Sequence, residues 1–280
     1  LTPGTRMNVR LTQATRTQTT VKDAVTSVQI ESGFDLQWAV ERVDADGTMR
    51  LTQAFTRLWL KTVSPDGKSS AYDSASRDEP AADAQAIADA VRTLLRIRIG
   101  LSLSPRGEIL DVQRSAELES LLGNLPTLAG WKALLTKEGM SQTLQQALGT
   151  LPETPVTIGD RWSGTREIQT PLGKIIATAK FTYQGPTQTG DRVLERIGVA
   201  TEVIPAGDPA SPATADKLPH QHLQGVYLFD AAAGFLAEAN LTQTLLTEVP
   251  YAGGKIQVKT VSTLRTEVTR KTNGGREPAG

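Results

Sequence analysis

Apolar and polar positions alternate along most of the chain, a period of two that predicts half-buried strands. In "FDLQWAV", Phe34, Leu36, Trp38 and Val40 fall on one face while Asp35 and Gln37 fall on the other. The run passes through "VDADGTM" and returns as "MRLTQAFTRLWL", with Met49, Leu51, Phe55 and Trp59 in phase. A calcium loop counted from Asp44 would need Gly at position 6 and Glu at position 12, but Gly47 falls at 4 and Phe55 at 12. Asp46-Gly47 therefore reads as a hairpin turn, of the type I′ that Asp and Gly favour, and Asp66-Gly67 repeats the logic.

After "YDSASRDEP" the period changes. Ile87, Val91, Leu94 and Leu95 recur at helical spacing, with Pro80 suited to a first turn, and predict a helix over about 80–95. "RIGLSLSPRGEILDV" reads as strand, turn, strand. A second helical patch covers 115–149: Leu118, Leu121, Leu122 and Leu125 form one apolar face, Trp131, Leu134 and Leu135 another. Ser141 is placed as the N-cap of a last helix that buries Leu144 and Leu148 and stops at Gly149.

"LPETPVTIGDRW" is a Pro-rich connector, and beyond it "KIIATAKFTYQG", "DRVLERIGVATEVI", "LQGVYLFDAAAGFLAEANLTQTLLTEV" and "GKIQVKTVSTLRTEVTR" are strand-like again. "PAGDPASPATADKLP" has the composition of a mobile loop, and 272–280 that of a disordered tail. The halves echo each other, either as a pseudo-repeat of two meanders or as two generic hairpin sets. The expected organisation is an N-terminal β-meander with a helix (1–112), a helical connector (113–150), a C-terminal β-meander (151–271) and the tail. The fold class is α+β, predominantly antiparallel sheet in two meanders with a helical insert packed on the sheet.

Composition narrows the chemistry. Lys plus Arg and Asp plus Glu balance at 30 each, and the basic residues are scattered, which argues against nucleic acid. The absence of cysteine removes disulfides, thiolate nucleophiles and cysteine-held metal centres. No apolar run reaches the roughly 20 residues of a membrane-spanning helix. The start at "LTPGTRMNV", without Met, reads as a trimmed or processed chain and favours export.

Candidate sites are few. His220 and His222 lie two apart, so in a strand both would face one side, and Asp216 or Asp230 would have to complete a metal site. The bland alternative is two polar residues after a loop. No G-x-S-x-G elbow supports a Ser-His-Asp hydrolase, and no Gly-rich phosphate loop occurs. Glu31, Asp35, Glu195 and Glu202 are acidic positions on the wet face of a sheet, with no spacing that singles out a pair. No cofactor is implied.

The "YDS" of Tyr72 to Ser74, "LSPRGEILDV" and "LPETPVTIGDRW" resemble, in that order, a family of bacterial secreted or lipoprotein-type domains of unknown function with motifs YDS, sP-G-x-v and P-V-x-x-G-D-x-W. The resemblance implies export to the cell envelope and a β-rich body, with no catalytic residues to carry over. A lipidated member would start with Cys; this chain is either not lipidated or begins after that residue. The expected function is a non-enzymatic binding or carrier module for a hydrophobic molecule or lipid, with a helix across a curved sheet enclosing an apolar groove. Trp162, Trp38, Trp59, Val91 and Leu94 are the expected ligand-binding residues. The alternatives are a structural module engaging an envelope protein partner, and a metal-dependent enzyme using His220 and His222.

Overall fold

A computed structural model describes residues 1–80, 84–123, 135–170, 173–205, 220–251 and 254–271. The strands are β1 (Arg6–Val21), β2 (Ala24–Val43), β3 (Met49–Val63), β4 (Ser69–Asp73), β5 (Arg98–Leu103), β6 (Ile109–Gln113), β7 (Arg161–Thr170), β8 (Gly173–Thr189), β9 (Arg192–Pro205), β10 (His220–Asp230), β11 (Phe235–Tyr251) and β12 (Gly254–Arg270). The helices among the described residues are α1 (Gln85–Leu94), α2 (Ala116–Gly123) and α3 (Lys137–Leu148).

All twelve strands belong to one open antiparallel sheet of order β6-β5-β3-β2-β1-β12-β11-β10-β9-β8-β7, with β4 beside β3. The chain starts at the middle of the sheet, meanders to one edge, crosses by way of α2 and α3, and meanders back from the other edge. Its two ends close the centre: β1 pairs with β12 from Met7↔Arg270 to Val21↔Ile256. Both strands are rich in Thr and Val, whose branched side chains suit a pleated surface. Hydroxyl pairs such as Thr15–Ser262 at 2.9 Å and Thr17–Thr260 at 3.1 Å tie them side by side.

This architecture corrects the α+β expectation. Among the described residues strand far outweighs helix, in one continuous sheet, so the three short helices described there are accessories to it and not a helical insert balancing two meanders. The sequence pattern shows each hairpin but not the β1–β12 pairing, whose partners lie at opposite ends of the chain.

Three local expectations are also corrected. Hydrogen bonds from Asp44 N to Thr48 O and from Gly47 N to Asp44 O close the first predicted turn, in which Gly47 has φ 83° and Asp46 is not in the positive-φ region. That is a type I turn followed by a left-handed glycine, and not the type I′ turn. Thr56 is an extra residue, because Asp35 pairs with Arg57 while Leu36 pairs with Phe55. This bulge shifts the phase of β3 by one, turning Leu58 fully inward and Trp59 to the opposite face. Finally, α3 is capped by Thr136, whose hydroxyl accepts from Gly139 N at 3.0 Å, so that Ser141 lies inside the helix. Among the described residues α1 runs from Gln85 to Leu94. Residues 81–83, Leu125, Trp131 and Leu134 of the expected helices, the expected loop at 206–219 and the tail at 272–280 lie outside the described residues.

The main core joins the helices to the inner face of the N-terminal strands. Val91 and Leu94 of α1, Leu118 and Leu122 of α2, and Met140, Leu144 and Ala147 of α3 pack with Met7, Leu36, Trp38, Leu51, Phe55 and Ile99. A second, smaller cluster of Phe181, Ile197, Val199, Tyr227, Leu236, Ala239 and Leu241 covers part of the same face in the C-terminal half.

Candidate functional site

The inner face of β7–β11 carries small residues where β1–β5 carry large ones. Gly164, Ala179, Thr201, Leu223 and Gln243 stand in register across it, and Arg166, Ala177 and Val203 form the next row. Small side chains cannot reach the helix above them. A groove of about 690 Å³ therefore separates this floor from α3, within the range of about 300–1,000 Å³ typical of small-molecule sites. The floor is mostly apolar, with Phe181, Val199 and Leu223 alongside the alanines, whereas Glu138, Ser141, Gln142, Gln145 and Gln146 line the helix side. On the other side of α3 a second space of about 280 Å³ is lined by Leu11, Phe34, Leu241 and Leu264. Gln142, Gln146 and Gln243 border both spaces, so α3 stands like a bar across one trough.

The C-terminal end of α3 is anchored. The Gln145 side chain accepts from Ile109 N at 2.8 Å and donates to Gly149 O at 2.6 Å, binding the helix end to the β5–β6 hairpin. The Tyr227 hydroxyl donates to Gln146 O at 2.7 Å, and the Trp162 indole N–H donates to Thr150 O at 2.7 Å. Burial pushes the Tyr227 phenol well above its ordinary pKa, so it remains a neutral donor. Gly149 caps the helix at φ 69°, and a Cβ there would meet the Tyr227 ring at 3.1 Å. The close approach and the left-handed backbone both call for glycine.

Arg166 is the one basic side chain among the residues lining this groove. It is half-buried, and among the described residues no hydrogen bond or ion pair engages it. Burial draws its guanidinium below the ordinary value, with the Tyr227 phenol acting the other way; it remains a cation at physiological pH. Glu108, Glu138 and Glu167 also line the groove, and among the described residues Arg166 forms no ion pair with them.

The residues singled out from sequence are dispersed. Trp162 stacks on Phe181 with ring centroids 5.4 Å apart, beside the end of the groove. Trp38 is buried in the main core, its indole N–H donating to Gln53 Oε1 at 2.9 Å. Trp59 lies on the other face of the sheet, over Gly33 and near Arg57, whose guanidinium carbon is 5.0 Å from its ring. Val91 and Leu94 are buried beneath α1, away from the groove lining. His222 is exposed on the outer face and contacts Gln224 Oε1 at 3.0 Å, while the His220 side chain lies outside the described ones. Asp230 accepts from Ala233 N, Asp216 lies outside the described residues, and no group of three metal-ligating side chains occurs among those described. Arg166 and the small floor residues were missed. The available signal was "GTREIQ", an Arg at an inward phase of a strand that places Trp162 and Gly164 on the same face.

Among solved structures, lipovitellin, described for its lipid–protein interactions, aligns over 98% of this chain with TM-score 0.55 and 12% identity. The chain spans only 26% of that protein's length, and the likeness is one of fold. A DUF1329 family protein from Desulfovibrio piger aligns over 95% of this chain and 87% of its own at 6% identity, with TM-score 0.14. No curated protein matches. No helix among the described residues is long and apolar enough to cross a membrane. The model of a family of unknown function, DUF6263, matches residues 46–185, half of the sequence, and the chain belongs to that family.

Proposed function

We propose that the chain is a non-enzymatic binding or carrier module that holds a hydrophobic ligand in the groove between α3 and β7–β11. The observation that carries this reading is the unfilled groove between α3 and a floor of small and apolar side chains. Ala177 and Val199 are buried and Ala179 and Val203 half-buried, yet side chains this small leave a space of about 690 Å³ beneath a helix fixed by Gln145, Tyr227 and Trp162. The fold shared with lipovitellin, a protein described for its lipid interactions, supports a lipid as the occupant. Export to the cell envelope belongs to the same proposal and rests on the resemblance of the YDS, SPRG and PVTIGDRW segments to secreted bacterial domains. Fractionation of cells making the full-length protein tests that location.

Titration with a neutral naphthylamine dye that brightens in apolar surroundings tests the groove. Saturable binding to the wild type that is lost in Ala179→Trp supports the reading. Equal binding to both proteins contradicts it.

A further inference from the structure

Resting on that reading, we propose that the ligand is a single-chain fatty acid whose carboxylate is held by Arg166 while its chain lies along the apolar floor under α3. An arginine at the rim of the trough, half-buried and without an acidic partner among the described residues, carries a desolvation cost that the neighbouring Tyr227 phenol offsets only in part. A planar guanidinium fork fits a carboxylate with two parallel hydrogen bonds. One cation matches one carboxylate charge, whereas a phosphate monoester would bring a second negative charge to a site already lined by Glu108, Glu138 and Glu167.

The dimensions support one chain. Arg166 lies on edge strand β7 and the groove reaches Gln243 on β11, four strand spacings away, or about 19 Å at about 4.8 Å each. An acyl chain fills half of a bilayer's hydrocarbon core, about 15 Å, so the floor accommodates one chain lying across the strands. Any longer chain would continue past Gln142 and Gln146 toward Leu241 and Leu264, where the second space begins. The polar face of α3 would lie along the upper side of the chain.

The test compares palmitate with hexadecanol, which share chain length and differ at the head, as competitors of the neutral dye. Wild type, Arg166→Gln, Arg166→Lys and Ala179→Trp would be measured, each confirmed as folded by circular dichroism and its melting curve. Palmitate should displace the dye from the wild type more effectively than hexadecanol. Arg166→Gln should weaken palmitate roughly tenfold, the scale of one charge-assisted hydrogen bond, and leave hexadecanol unchanged. Arg166→Lys should recover part of the loss, since it keeps the charge but not the fork. Equal action of acid and alcohol, with Arg166→Gln silent, overturns the carboxylate assignment while leaving the groove as a binding site. Preference for lysophosphatidylcholine over palmitate overturns the fatty acid as occupant. Dye binding that persists unchanged in Ala179→Trp removes the groove reading itself, and the carboxylate assignment with it.

Discussion

The two halves of the sheet share a strand pattern and differ in what covers them. On the N-terminal side Met7, Leu36, Trp38, Leu51, Phe55 and Ile99 meet buried residues of all three described helices. On the C-terminal side Gly164, Ala177, Ala179 and Thr201 meet a space beneath α3. The same antiparallel scaffold thus becomes a packed core where its inward residues are large and a trough where they are small. Side-chain volume, not backbone topology, separates the stabilising half from the half proposed to bind.

Truncation on the packed side should cost the most. Trp38→Ala removes a buried ring and strands the Gln53 amide oxygen, and is expected to cost about 3–5 kcal/mol in denaturant unfolding. An equally drastic change on the trough side should behave differently. Ala179→Trp fills open space, so its unfolding midpoint should stay near wild type while dye binding is lost. Tyr227→Phe leaves the Gln146 carbonyl without its donor and should cost about 1 kcal/mol, with faster hydrogen exchange at the end of α3. Thr136→Ala removes the cap at the other end of that helix, also for about 1 kcal/mol, and should leave the trough floor intact.

The smallest effect lies outside both regions. Asp73 is held below the usual carboxylate range, chiefly by the Arg57 hydrogen bond. A depressed pKa in the folded state contributes stability above the ordinary carboxylate pKa, and that contribution disappears as pH falls through the folded value. Wild type and Asp73→Asn should therefore converge in melting temperature as the solution is acidified below the ordinary carboxylate range.

Much of the scaffold was legible in the sequence. Leu36, Trp38 and Val40 alternate as their burial does, and the Asp-Gly and Pro-Arg-Gly segments mark hairpins. What escaped depends on single insertions and distant partners. The bulge at Thr56 sends Trp59 to the opposite face from Phe55, although both sit at odd positions of one strand. The β1–β12 ladder that merges the meanders joins residues some 250 apart in sequence and leaves no local periodicity. The trough was hidden for a third reason. Sequence reasoning looked for a ligand site among large aromatic residues, which mostly went to structural packing, whereas the space arises from alanine and glycine, which announce nothing on their own.

Native mass spectrometry of the protein purified without added ligand, run beside Ala179→Trp and followed by denaturation and solvent extraction, reads directly whether the groove carries a ligand. The wild type should carry a bound mass that extracts as a lipid and is missing from the variant. An identical, ligand-free mass for both proteins, together with no uptake of palmitate or hexadecanol by either, would contradict the carrier reading.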